Sequence, residues 1–110
     1  MTENWSEWRQ FPDPRKLESL TAPIGPGCYE LRQCEQKVLF GWGNRVAERM
    51  TTLLQRPLGA GAGHSNKKRA YVSEYLGSIE YRVIACGTPD DAKKLEEELK
   101  RNCEEYIFPL

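Results

Sequence analysis

The chain has 110 residues, 39% of them hydrophobic and 29% charged, the balance of one globular domain and not of a disordered or fibrous segment. Lys plus Arg and Asp plus Glu stand at 16 each, so any contact with nucleic acid must come from a local patch and not from net charge. No apolar run approaches the roughly 18–20 residues of a spanning helix, and the N-terminus lacks the basic and apolar regions of a secretory leader, so the expectation is a cytoplasmic protein with no membrane partner.

Residues 1–24 read as an N-terminal extension and residues 25–110 as the domain. Trp5, Trp8 and Phe11 recur at spacing three, which predicts one side of a short helix, before Pro12, Pro14 and Pro23 break any regular element. These aromatics either cover a face of the domain or offer a contact to a homodimer mate or another protein partner. Residues 24–27 form a turn. Residues 28–32 and 37–42 are short apolar runs joined by the polar stretch 33–36, which predicts a β-hairpin.

Asn44 is a credible helix N-cap. From Val46 the pattern turns helical, with Val46, Ala47, Met50, Leu53 and Leu54 on one stripe. Arg49 lies beside that stripe, and Arg45 lies one turn earlier on the same flank. Pro57 stops the helix. Residues 58–65 are a glycine-rich connector without the Lys and Ser/Thr of a phosphate-binding loop, and His64 reads as a solvated loop residue.

Lys67, Lys68 and Arg69 open a second helix, in which Tyr71, Val72, Tyr75 and Leu76 repeat at helical spacing and Gly77 suits the position after its end. Residues 79–86 are the clearest strand. Thr88-Pro89-Asp90-Asp91 is a strong helix start: a Thr cap, Pro at the first position and acids in the first turn. That helix should run through Arg101 or a little beyond, and the apolar end from Tyr106 should be extended. The order β-β-α-α-β-α predicts an α+β fold, a small three-stranded antiparallel sheet flanked by helices.

Cys28, Cys34, Cys86 and Cys103 form no C-x-x-C pair, and His64 is the one histidine, so neither a zinc site nor a disulfide framework is expected. The last helix carries an anomaly. Ala92, Leu95, Leu99, Cys103 and Tyr106 make its apolar stripe, and Glu96 borders it while Glu97 and Glu98 point away. A carboxylate on a core-facing border is costly unless it is paired or bound to a cation. An arginine partner and a hard metal ion both answer that requirement.

From Gly27 to Glu96 the chain resembles a GIY-YIG nuclease domain. Gly27-Cys28-Tyr29 stands where the first motif belongs, and Leu39-Phe40-Gly41 follows in the next strand. Arg49 comes eight residues after that glycine. Ala92-Lys93-Lys94-Leu95-Glu96 matches the family's glutamate, four residues beyond a small residue in the last helix. The resemblance implies hydrolysis of a DNA phosphodiester bond with one divalent cation, Mg2+ or Mn2+, in a cleft formed by Tyr29, Arg49 and Glu96. Glu96 would hold the metal, Arg49 would stabilise charge on the phosphate, and Tyr29 would activate or position water, its pKa lowered by nearby positive charge. Arg45, Arg49, Lys67, Lys68 and Arg69 would form one basic surface for the DNA. The chain departs from the family at Leu39, where a tyrosine is usual, and at Leu53, where His or Tyr is common. Asn102 comes too early for the asparagine after the last helix. The alternative is therefore a non-catalytic module on the same scaffold, binding nucleic acid or protein.

Overall fold

Alternation in the two apolar runs puts successive side chains on opposite faces, so a single hairpin needs cover on both sides. In the computed structural model, which describes residues 5–12, 22–51, 53 and 66–108, that cover comes from helices. Leu54, Pro57 and the glycine-rich connector with His64 lie outside the described residues. Strand β2 (Gly27–Gln33) and strand β3 (Gln36–Gly43) pair antiparallel about a turn at Cys34 and Glu35. Cys34 takes φ 56°, the left-handed conformation that tight hairpin turns demand and that glycine or asparagine meets at lower cost. Strand β4 (Ile79–Ala85) lies antiparallel on the other side of β2, with Cys28 opposite Ile84 and Glu30 opposite Arg82.

The sheet has four strands, not the three expected. Strand β1 (Arg9–Gln10) pairs with β4, giving the order β1-β4-β2-β3, antiparallel throughout. The added strand precedes the others, so the described elements run β-β-β-α-α-β-α. Trp5, Trp8 and Phe11 thus belong to an extended segment and not to a helix. The free edge of β4 explains this: Ser6 N–H donates to Val83 O at 2.8 Å and Phe11 N–H to Ile79 O at 2.8 Å. The aromatics also part company. Phe11 is 1% exposed and meets Tyr81 edge-on at 5.9 Å, so it is no surface contact for a partner. Trp5 packs against the separate cluster formed by Cys28, Ile84, Ala92 and Leu95.

One face of the sheet presents Tyr29, Leu31, Leu39, Tyr81 and Val83 to helix α1 (Val46–Thr51) and helix α2 (Asn66–Glu74). Val46, Met50, Leu53 and Val72 complete that core. The other face presents Cys28 and Ile84 to Ala92 and Leu95 of helix α3 (Pro89–Lys100). As the sequence predicts, Thr88 caps α3: its hydroxyl accepts from Asp91 N–H at 3.1 Å, with Pro89 at the first position, a cap that contributes about 1 kcal/mol.

Two boundaries differ from expectation. Helix α2 ends at Glu74, and Gly77 sits in a 3-10 turn (Leu76–Ser78) without the positive φ of a helix-terminating glycine. Tyr106 is not on the stripe of α3, which stops at Lys100. It forms a parallel bridge to Lys37, because Ile107 and Phe108 N–H groups find the Lys37 and Val38 carbonyls at 3.1 and 2.8 Å. Among the described residues no helix is long and apolar enough to cross a membrane.

Candidate functional site

Tyr29 lies in the middle of β2, directly across from Gly41 of β3. Its ring runs over that glycine: a Cβ on Gly41 would fall 2.6 Å from Tyr29 Cζ and closer still to the hydroxyl. Two residues on, the same device repeats. A Cβ on Gly43 would lie 2.9 Å from Cβ of Arg49, which α1 lays across the strand. The two glycines therefore let a tyrosine and an arginine lie close over β3, and Arg49 donates a hydrogen bond to the Tyr29 hydroxyl.

Glu96 of α3 and Lys68 of α2 are linked to this pair by charge. The Glu96 charge acts on both Tyr29 and Lys68, and Arg49 acts on both as well. The border position read from the helical pattern is the one observed: the Glu96 side chain is 20% exposed against 68% for Glu97. Lys100, one turn further on, reaches Glu96 Oε1 at 3.6 Å and Glu97 Oε1 at 3.9 Å.

The electrostatics correct one expectation. Positive charge from Arg49 does act to lower the Tyr29 pKa, but burial outweighs it and pushes the phenol above its ordinary value. Tyr29 is 1% exposed and stays protonated at neutral pH. The Lys68 amine is shifted down, first by burial and then by Arg49, with Glu96 opposing.

The five cations expected on one basic surface divide. Lys67 and Arg45 are exposed, and Arg45 pairs with Glu48 at 3.3 Å. Arg49, hydrogen-bonded to Tyr29, and Lys68, within reach of the Arg49 and Glu96 charges, are half-buried. Arg69 is buried, at 6% exposure, because it shares the inward face of α2 with Val72, and so it does not belong to the surface. Leu39 and Leu53 are fully buried in the core, and Asn102 is exposed in the turn after α3. Among the described residues no group of three or more His, Cys, Asp or Glu side chains could hold a metal ion. Cys28 is buried with its Sγ donating to Ala92 O at 3.2 Å, Cys86 is half-buried and Cys34 is exposed at the hairpin tip.

A second polar cluster escapes a reading by composition. Glu30 is 0% exposed on the α3 face of the sheet. Its Oε1 accepts from Arg82 Nε at 2.6 Å, its Oε2 accepts from the Tyr106 hydroxyl, and Lys37 Nζ lies 3.6 Å from Oε2. Arg82 in turn stacks on Trp5 and Trp8, at 4.4 and 4.8 Å from the ring centroids, and Arg32 covers Trp8 at 4.2 Å. The signal was present in the strand pattern. Glu30 alternates with Tyr29 and Leu31 and shares its face with Cys28, and a charge there demands a partner. Compared with protein-family models, with curated proteins and with solved structures, the chain matched none.

Proposed function

We propose that the chain is a DNA phosphodiesterase of the GIY-YIG type, with Arg49 and Glu96 facing the substrate and Tyr29 behind them. The observation that supports the reading is electrostatic: Arg49 hydrogen-bonds the Tyr29 hydroxyl, and the Glu96 charge reaches both Tyr29 and Lys68, so side chains from β2, α1, α2 and α3 act on one another. Three of the four are the residues of the family resemblance.

The roles follow from chemistry. The Arg49 fork donates to phosphate oxygens and gains strength as negative charge gathers on them. Tyr29, buried and protonated, holds the guanidinium in place and so acts through Arg49; it is a positioning residue and not a base. A divalent cation fits the donor set: Mg2+ commonly takes one or two carboxylates, with waters and substrate phosphate oxygens filling its shell, and Glu96 is the carboxylate of this cluster. Bound there, the metal would supply Lewis-acid stabilisation of the leaving oxygen. Before any cation is held, Glu96 must leave the Lys100 ammonium at 3.6 Å.

That ion pair, together with the full burial of Leu39 and Leu53, favours a second reading: a DNA-binding module on the same scaffold without hydrolysis. Cleavage of plasmid and branched DNA with Mg2+ or Mn2+, by the parent chain and by Glu96→Gln, separates the two. Hydrolysis by the parent that Glu96→Gln abolishes supports the phosphodiesterase. Salt-sensitive DNA binding without cleavage, unchanged in Glu96→Gln, supports the module.

A further inference from the structure

The N-terminal segment is held by the sheet. Ser6 and Phe11 N–H donate to Val83 O and Ile79 O, both at 2.8 Å, Val83 N–H donates to Ser6 Oγ at 3.0 Å, and Gln10 Nε2 reaches Leu76 O at 3.1 Å. The Arg82 guanidinium lies 4.4 Å from the Trp5 ring and 4.8 Å from that of Trp8, Arg32 lies 4.2 Å from Trp8, and Phe11 is buried on Tyr81. All of these contacts join residues 5–11 to β2, to β4 or to the turn before β4, so a second copy of the chain offers the same partners. The return to β2 is the costly part. Strands β1 and β2 both run antiparallel to β4 and hence parallel to each other, with β4 between them. The chain from Phe11 to Gly27 must therefore cross β4 and come back along it from the Ile79 end to the Ala85 end, about 20 Å at the usual rise of a strand. Four of the seven prolines, Pro12, Pro14, Pro23 and Pro26, fall in this stretch, and each biases the residue before it to extended backbone. Such a stretch reaches a neighbouring molecule more readily than it reverses over its own sheet.

We propose that residues 5–11 exchange between two copies of the chain, each laying Trp5, Trp8 and Phe11 along the β4 edge of the other. The occupant is a second copy and not an unrelated peptide, because the fit of this segment to that edge, hydrogen bonds and stacks together, is the one the structure shows. Phe11 stays buried, in the core of the other copy. The exchange removes none of these contacts, so relief of the proline-stiffened return is set against the entropy of association, and the dimer gains with protein concentration. It stands apart from any nuclease activity.

The test uses the register. Gln10 and Glu80 are paired across β1 and β4, close enough for cysteines at the two positions to bridge. Full chains carrying Gln10→Cys are mixed with full chains carrying Glu80→Cys, oxidised with diamide, and the links mapped by mass spectrometry, which sets aside any dimer joined through the exposed Cys34. Exchange yields a heterodimer linked between positions 10 and 80. While the dimer is the minor species, its share should rise about tenfold for a tenfold rise in protein concentration. A chain carrying both substitutions shows that the pair can close. Closure there, with no 10–80 link in the mixture at any concentration, overturns the proposal, and failure to close overturns the register on which it stands. Sedimentation of variants without added cysteines gives a second reading. Trp8→Ala weakens the stacks in both forms alike and should leave the dimer fraction unchanged, whereas Pro14→Ala eases the return and should lower it about fivefold. A chain that stays monomeric at millimolar concentration, or a dimer that Trp8→Ala abolishes and Pro14→Ala spares, is the result that defeats strand exchange.

Discussion

Adding one methyl group at Gly41 tests the geometry on which the site depends. An alanine Cβ there would lie 2.6 Å from Tyr29 Cζ and 3.0 Å from Cε1, so the ring must retreat by about 1 Å to regain a normal carbon–carbon separation. It has nowhere to go cheaply, since Tyr29 is 1% exposed and packed within the core on that face. Overpacking of this kind costs about 1–3 kcal/mol, which in a domain of this size lowers the melting temperature by roughly 5–15 °C. Gly43→Ala should cost less, about 0.5–1.5 kcal/mol, because the clash at 2.9 Å is with Arg49 Cβ on a short helix that can shift by tenths of an ångström. Gly77→Ala meets nothing within 4 Å and should be neutral or stabilising by up to about 0.5–1 kcal/mol. Thermal melts of the three variants give the ranking directly. Binding of a DNA duplex at low salt then reports whether the displaced phenol has released Arg49. If Gly41→Ala melts at or above Gly77→Ala, the close passage of Tyr29 over β3 is wrong, and the support for Arg49 fails with it.

In calorimetric titration with Mn2+, Glu96→Gln should abolish binding, whereas Glu97→Gln, 68% exposed, should bind as the parent does and shift stability by less than about 0.5 kcal/mol; equal behaviour of the two defeats the metal-ligand assignment. Tyr106→Phe leaves the buried Glu30 short of one donor and should cost about 1.5–3 kcal/mol in denaturant unfolding, and an unchanged midpoint would remove Tyr106 from the network. Burial holds the folded Tyr29 phenol above its ordinary value of 10.0, so its stabilising contribution is complete below about pH 10 and is lost as pH rises further; melts from about pH 9 to 11 should fall less steeply for Tyr29→Phe than for the parent, and parallel slopes refute this. Cys34→Asn relieves a left-handed backbone position and should raise stability by about 0.5–1 kcal/mol, whereas an unchanged melt would mean that the turn carries no strain.

Where local chemistry decided the structure, the sequence was readable. The hairpin follows from two apolar runs flanking a polar turn, and β4 from its run of β-formers. Helix α3 starts where Thr88, Pro89 and two acids agree, and every level of the signal points the same way. Residues 5–12 were less readable because their conformation is set at a distance. A two-residue strand has no periodicity of its own, and a spacing of three suggests a helix as readily as it describes chance. What fixes the segment as extended is the free edge of β4, some seventy residues later, which needs partners for its N–H and C=O groups. Tyr106 fell to the same cause: the Lys37 and Val38 carbonyls, not helical spacing, determine where it lies.

The two polar clusters show why one was legible and the other was not. Glu96 could be picked from three consecutive glutamates because a helix converts sequence position into direction, and only one of the three borders the apolar stripe. Glu30 has the same kind of problem, a carboxylate on an inward face, yet its solution is scattered over Lys37, Arg82 and Tyr106. None of these is unusual in type, and they become neighbours only when the strand register sets Glu30 across from Arg82 and the C-terminal segment folds back on β3. The consequence is structural. A fully buried carboxylate that loses its main cation is destabilised far more than one that never had it, so Arg82→Met should cost about 3–5 kcal/mol, while replacement of the pair by Glu30→Met with Arg82→Met should recover much of that loss. Arg82 also carries the stacks on Trp5 and Trp8, so the single variant should loosen the N-terminal segment and expose its indoles, seen as quenchable tryptophan fluorescence. A cost below about 1 kcal/mol for Arg82→Met, or no recovery in the double variant, would mean that Glu30 is satisfied without Arg82 and that the α3 face of the sheet is held by packing alone.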